Sequence, residues 1–390
     1  MALNVLPPEL LLQIATDLDP YSTLELAVTC KGLHKLFESA LTEHTRLSSK
    51  YKVIDCERSQ EHSHLPWLRE EYDGHLIWST LKEILEDPRK GWYVREINLA
   101  GRQYRWDTQY HLDLVYRTSR PEHVLAVPPR EDQAIFLKAV QALGDLYPVC
   151  LGHRDGSRTD PEPEKLWTTF AESLETSISS GWDDAIISIL IHHVPLLKTI
   201  RITEHHTKNL ETMLQWIAST YKDPDRKSQL PFQHLRHASI AHWDTENACS
   251  PDWACLFLSL PTLQAFAAHA MGGGITTLAE NIYAPEDAQP GSNVKELFLS
   301  RCHLNHSDMK VVLRGVKDLR TLYYTDGGVL VSPNEQYQPK RTIQMVAASV
   351  GHSLEELVMN QSEFGDPVSR SPSQEKFSLM ASSVKRITKT

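Results

Sequence analysis

Apolar residues in the first forty-five positions recur at three- and four-residue steps, the period of a helix. Leu10 or Leu11, then Ile14 and Leu18, form one stripe. Pro7 and Pro8 suit the start of that helix, where a missing amide would be unpaired anyway. Asp19-Pro20 ends it, because proline disfavours helical geometry in the residue before it. Ser22 is the expected cap of a second helix holding Leu24, Ala27 and Val28. Lys31-Gly32 marks a bend, and Leu33, Leu36, Phe37 and Leu41 carry a third helix. Such a unit buries little surface. It also has more apolar positions than its own core can hide, since Leu6, Pro7 and Leu12 fall off the main stripe. A docking surface is one reading of that surplus; a helical cap on the following domain is the other.

Further along, the pattern changes to a recurring unit with apolar residues spaced as in LxxLxL. It appears as Leu197-Ile200-Ile202, Leu235-Ala238-Ile240, Leu263-Phe266-Ala268, Val294-Leu297-Leu299, Leu319-Leu322-Tyr324 and Leu354-Leu357-Met359. Val94-Ile97-Leu99 is an earlier candidate unit, and Val384-Ile387 a later start. Helical stripes lie between the units: Ile186, Leu190 and Val194; Leu210, Leu214, Ile217 and Tyr221; Trp253, Phe257 and Leu260; Met309, Leu313 and Val316; Ile343, Val346 and Val350. A strand plus a helix cannot bury its own apolar face, and stacking such units makes a continuous core. An ordinary α/β domain of alternating strands and helices is the competing reading.

Composition narrows the function classes. The chain has 390 residues, 41% of them hydrophobic, which is too many for a mainly disordered polymer. Fifty acidic against 40 basic residues give a net charge of −10, which argues against a polyanion-binding surface over the whole molecule. No stretch of about 18 apolar residues suggests a membrane span, and no basic segment precedes the first apolar run, so secretion is not expected. Six dispersed cysteines without a CxxC pair fit reduced thiols in the cytoplasm or nucleus.

The N-terminal segment resembles an F-box. The matching residues are Leu6-Pro7-x-Glu9-Leu10, Ile14, Leu18, Leu24, Ala27, Val28, Cys30-Lys31 and Leu36. Leu33 stands where the family usually has a tryptophan. The resemblance implies docking on a Skp-type adaptor and, through it, a cullin and a RING subunit. Leu6, Pro7, Leu10, Leu11, Ile14 and Leu24 are the residues expected to contact the adaptor or to shape that surface. The later units resemble degenerate leucine-rich repeats. The best is VKELFLSRCHL, with Cys302 where the family usually bonds the backbone bend. In placing irregular repeats behind an F-box, the chain most resembles fungal F-box proteins.

The expected fold is therefore α/β: a three-helix F-box over 1–45, a helical linker or cap with irregular first repeats over 46–180, and a leucine-rich-repeat-like solenoid of short parallel strands and helices over 181–390. The chain stops at VKRITKT, midway through what the pattern gives as another unit, so either the polar cap is unusual or the sequence stops short. The implied role is a non-catalytic substrate receptor of an SCF ubiquitin ligase; the alternative is a scaffold acting without ubiquitin transfer. The partners are then the adaptor complex and a target protein, with no nucleic acid, membrane or cofactor. Residues between the last two apolar positions of each strand should face the concave side: Arg201, Ser239, Ala267, Phe298, Tyr323 and Val358. Arg201, Phe298 and Tyr323 are the target-binding candidates, packing under a loop being the plainer alternative.

Catalytic and metal chemistry finds little footing. Adjacent pairs such as His205-His206 point to opposite faces of a strand, and His192-His193 should sit exposed near a helix end. His234, His237, His242, Cys249 and Cys255 lack the short spacing of zinc motifs. Gly272–Gly274 lacks the lysine of a phosphate loop and reads as a turn. Cys30 reads as core within the F-box helices. Four segments read as loops: 152–165, 280–293, 332–341 and 365–376, the last with Ser-Pro character. Residues 46–180 are rich in aromatics, among them Trp67, Trp78, Trp92, Tyr93 and Trp106.

Overall fold

The computed structural model describes residues 6–55, 74–99, 130–147, 150–152, 167–179, 183–204, 208–221, 223, 225–242, 248–284, 291–327 and 339–361. The expectations for Trp67, Trp106, His205-His206, Val384-Ile387, the segment 365–376 and the chain end lie outside these residues, as do most of 152–165 and 332–341.

Four helices open the chain. α1 (Pro8–Asp17) starts on proline, as expected. α2 (Pro20–Val28) begins earlier than the sequence suggested: Asp19, not Ser22, is its cap. The Asp19 carboxylate accepts from the amides of Tyr21 and Ser22 at 2.9 and 3.1 Å, and from the Ser22 hydroxyl at 2.5 Å. Proline at the first helical position needs no amide partner, so Asp19-Pro20 starts a helix rather than only ending one. α3 (Lys31–Leu36) is capped by the exposed Cys30, whose sulfur accepts from the Leu33 amide. Cys30 is thus not core, and the bend falls before Lys31. α4 (Glu38–Tyr51) is the longest of the four. Leu11, Ala15, Ala27, Leu33 and Phe37 form a small core of their own.

The sheet begins directly after α4. β1 (Val53–Asp55) pairs in parallel with β2 (Glu96–Leu99). β3 (Cys150–Gly152) and β4 (Trp167–Thr169) make a separate antiparallel pair. The main sheet continues in parallel through β5 (Thr199–Glu204), β6 (His237–His242) and β7 (Ala265–His269). Gly272-Gly273 is not merely a turn: it forms the short β8, beside His303 and Leu304. β9 (Glu296–Leu304), β10 (Thr321–Asp326) and β11 (Glu356–Gln361) complete the order β1-β2-β5-β6-β7-β9-β10-β11. The protein is thus α/β with a mostly parallel sheet, its strands laid side by side in chain order.

The register is the one the sequence units imply. Ile54, Ile97, Ile200, Ala238, Phe266, Leu297, Leu322 and Leu357 are successive partners across the sheet. All but Leu357 are buried, and Leu357 packs at the core margin. A second feature repeats with the strands. The carbonyls of Lys52, Arg95, Lys198, Arg236, Gln264, Lys295 and Arg320 each accept two amides from the start of the next strand, at 2.7–3.2 Å.

Helices α5 (Gly74–Glu86), α6 (Arg130–Leu146), α7 (Phe170–Ser179), α8 (Asp183–His192), α9 (Lys208–Thr220), α10 (Asp252–Leu258), α11 (Thr277–Tyr283), α12 (His306–Arg314) and α13 (Pro339–Val350) pack neighbour against neighbour. With the inward strand residues they share one continuous core. α11 begins before the segment read as the loop 280–293 and runs into its first residues. Thr276 caps it, and the buried Asp252 accepts from the Thr276 amide and hydroxyl at 2.8 Å each. On α13 the stripe is displaced: Ile343 is exposed, while Met345 joins Val346 and Val350 inside. No helix among the described residues is long and apolar enough to cross a membrane.

Candidate functional site

Leu11, Leu33 and Phe37 fill most of the N-terminal core, but small side chains hold the contact between α1 and α2. α1 turns Leu11 and Ala15 inward, four residues apart, and α2 turns Thr23 and Ala27 inward at the same spacing. Thr23 donates its hydroxyl to the carbonyls of Ala15 and Asp19 at 3.3 and 3.1 Å, which draws the two helices together. Three of these four inner residues are small, so the helices approach closely and the bulkier side chains are left outside. Leu10 and Ile14 lie one position round α1 from the inner pair, and Leu24 and Val28 one position round α2. Leu24 is 48% exposed, Val28 65% and Tyr21 66%. Five of the nine large apolar residues exposed among the described residues fall between positions 10 and 28, so the surplus is local to this unit.

Each residue proposed from sequence has a definite place. Pro7, Leu10 and Leu24 are exposed, Leu6 and Ile14 half-buried. Leu11 is 4% exposed and belongs to the small core, so it shapes the surface without forming part of it. Tyr21 and Val28 were missed as surface residues. Their signal was present, since 21, 24 and 28 share a helix face by spacing.

α4 ties this unit to the rest of the molecule. Ala40 and Leu41 pack on the small core, while Leu47 and Tyr51, further along the same helix, sit in the large one. Lys50 pairs with Glu83 of α5 at 2.7 Å, and the Tyr51 hydroxyl donates to the same carboxylate. His44 bonds Tyr93, whose hydroxyl is pushed up to about 12, chiefly by burial. A cleft of about 340 Å³ separates Leu12, Ala15 and Leu18 from Leu47, Arg89 and Trp92.

On the sheet face opposite the helices, Asn98, Arg201, Ser239, Ala267, Phe298, Tyr323 and Val358 form one row of register partners. Arg201 is engaged by Glu96 of the neighbouring strand. Ser239 and Ala267 are small. Phe298 and Tyr323 are half-buried, with ring centroids 6.5 Å apart and planes inclined by 40°. Val358 is on this face by register but is 9% exposed, a short side chain in the row beside Tyr323.

Several other reactive residues are built into the packing. Cys302 follows Arg301, a non-glycine residue with φ of 51°, and this kink turns its thiol inward. The thiol donates to the carbonyls of Ser300 and Ala268 at 3.3 and 3.8 Å, and burial pushes it up to about 12. His192 is not exposed at its helix end; it lies edge-on to Tyr147 at 5.0 Å, and burial depresses it to about 3. His234 and His237 are exposed and His242 half-buried, whereas Cys249 and Cys255 are buried. Trp78 is packed at right angles on Phe136 at 4.6 Å. Among the described residues no group of three or more His, Cys, Asp or Glu side chains could hold a metal ion. Compared with known proteins, the sequence matches no family model and no curated protein significantly.

Proposed function

We propose that the chain is an F-box protein with degenerate leucine-rich repeats, the substrate-recognition subunit of an SCF-type ubiquitin ligase. The observation that carries this reading is the outward set Leu10, Tyr21, Leu24 and Val28 on two helices that meet through Ala15, Thr23 and Ala27, over a core completed by Leu11, Leu33 and Phe37. Apolar side chains left outside a small core stabilise a complex rather than the monomer. The N-terminal helices dock on a Skp-type adaptor. The in-register strands present a second face to a target, with Phe298 and Tyr323 as its aromatic anchors. The chain supplies proximity and no bond chemistry: holding target and ubiquitin-charged enzyme together raises their effective concentration. α4, packed in both cores, fixes the angle between the two surfaces.

Co-purification with a Skp-type adaptor tests this. Leu24→Asp with Val28→Asp removes capture while leaving the melting temperature unchanged, because neither side chain is in a core; losing a central anchor costs about 2 kcal/mol or more of binding. Undiminished capture by the folded double variant refutes the reading. Leu6→Ala with Pro7→Ala also weakens capture, with some loss of stability because Leu6 packs on the small core. Recovery of a cullin with the adaptor separates a ligase receptor from a scaffold that works without ubiquitin transfer.

A further inference from the structure

The residues that precede the sheet strands share one backbone task, and that task places no demand on the side chain. Any residue can offer a carbonyl to the two amides of the next strand. Yet six of the seven that do so are basic: Lys52, Arg95, Lys198, Arg236, Lys295 and Arg320, with Gln264 the exception. In a chain with 40 basic residues in 390, composition does not explain this. Neighbouring strands lie about 4.8 Å apart. The row is therefore a ladder of cations along the edge where the strands begin.

The two ends of the ladder differ. At the far end Lys295 stands 3.1 Å from Asp318, and Arg320 stands 3.8 Å from Glu355. At the near end no ion pair of this kind forms among the described residues, although the half-buried Arg95 feels the charge of Asp19. Arg95 donates to the carbonyls of Trp92 and Val94, at 2.5 and 3.1 Å. Lys52, Lys198 and Arg236 are exposed and have no acidic partner among the described residues. The nearest carboxylate along β2, Glu96, is taken by Arg201.

We infer that the run Lys52, Arg95, Lys198 and Arg236 is a binding edge for a short acidic segment of a partner polypeptide. Three strand steps span about 14 Å, the reach of some four or five extended residues at about 3.3 Å each. Charge favours a peptide over a nucleic acid. A few carboxylates meet only this edge, whereas a longer polyanion also meets the rest of a molecule of net charge −10. The inference stands apart from the adaptor reading, since none of these four residues belongs to α1 or α2.

The test is fluorescence polarisation with the full chain and a labelled glutamate-rich peptide of about eight residues, at low and physiological salt. Binding is expected at low salt and should weaken as salt is added. Lys198→Glu with Arg236→Glu should weaken it about tenfold. Lys295→Glu with Arg320→Glu, at the neutralised end, should leave it unchanged. If the charge reversals disturb folding, Lys198→Ala with Arg236→Ala carries the same test with a smaller loss. Absence of binding at low salt, equal weakening by both charge-reversal pairs, or tighter binding of a DNA oligonucleotide of matched charge would each overturn the inference.

Discussion

The contact between α1 and α2 and the parallel sheet place different kinds of side chain inside. In the sheet, Ile200, Phe266, Leu297 and Leu322 point into one continuous core and the residues between them face out. At the helix contact, Ala15, Thr23 and Ala27 point in beside Leu11, while Leu10, Tyr21, Leu24 and Val28 point out. Large residues inside stabilise the chain by itself. Large residues outside cost the isolated chain nothing structural, yet expose apolar area that water disfavours. That exposure becomes useful when another surface covers it, which is why the difference between the two regions separates a stability element from a proposed docking element.

Substitutions sharpen the contrast. Leu297→Ala, in the middle of the sheet core, should destabilise the protein by about 2–5 kcal/mol in denaturant unfolding, whereas Leu24→Ala should stay within about 0.5 kcal/mol. A similar cost at both sites would break the distinction. Within the small core the direction reverses, because close approach of α1 and α2 needs small residues. Ala27→Leu should therefore cost about 1–3 kcal/mol by overpacking, read as a lowered melting temperature. Asp19→Ala should cost about 1 kcal/mol by removing the cap of α2, and the same variant should lose part of its adaptor capture as that helix frays.

Acidity gives the smallest and most diagnostic difference. In the N-terminal unit the hydrogen bond from Ser22, aided by two amides, holds Asp19 below the usual carboxylate range. Its contribution is present above the unfolded pKa and is lost as pH falls through the folded one. In the body, burial raises Asp184 from 3.8 to about 6, against the pull of hydrogen bonds from Asn209 at 3.0 and 2.9 Å. There the sign is opposite: stability is fully present below about pH 4 and is lost as pH rises through about 6. Melting curves across that interval should show a decline with rising pH that disappears in Asp184→Asn.

Much of the sheet was legible in the sequence because burial on one face imposes a rigid period. Leu197-Ile200-Ile202 and its counterparts are the register partners their spacing implied, and Val94-Ile97-Leu99 belongs with them. Elements set by local chemistry were harder to read. α11 is short, and the hydroxyl of Thr276 starts it rather than an apolar stripe. β1 has one buried residue, Ile54, which shows no period. On the candidate surface, periodicity found the helices but could not tell an inner stripe from one turned by one position. Leu10 and Leu11 are adjacent leucines with opposite fates, decided by where Ala15 and Ala27 let α1 and α2 meet. The ring contact of Phe298 and Tyr323 followed from register alone, whereas the burial of Val358 did not.

The most direct measurement is a binding isotherm of the purified chain with a Skp-type adaptor, paired with hydrogen exchange on the same complex. The expected result is a one-to-one complex in which the amides of residues 8–28 gain protection and those of the sheet do not. A chain that fails to bind, or a complex that protects the sheet and leaves α1 and α2 exchanging as before, would contradict the assignment of that surface.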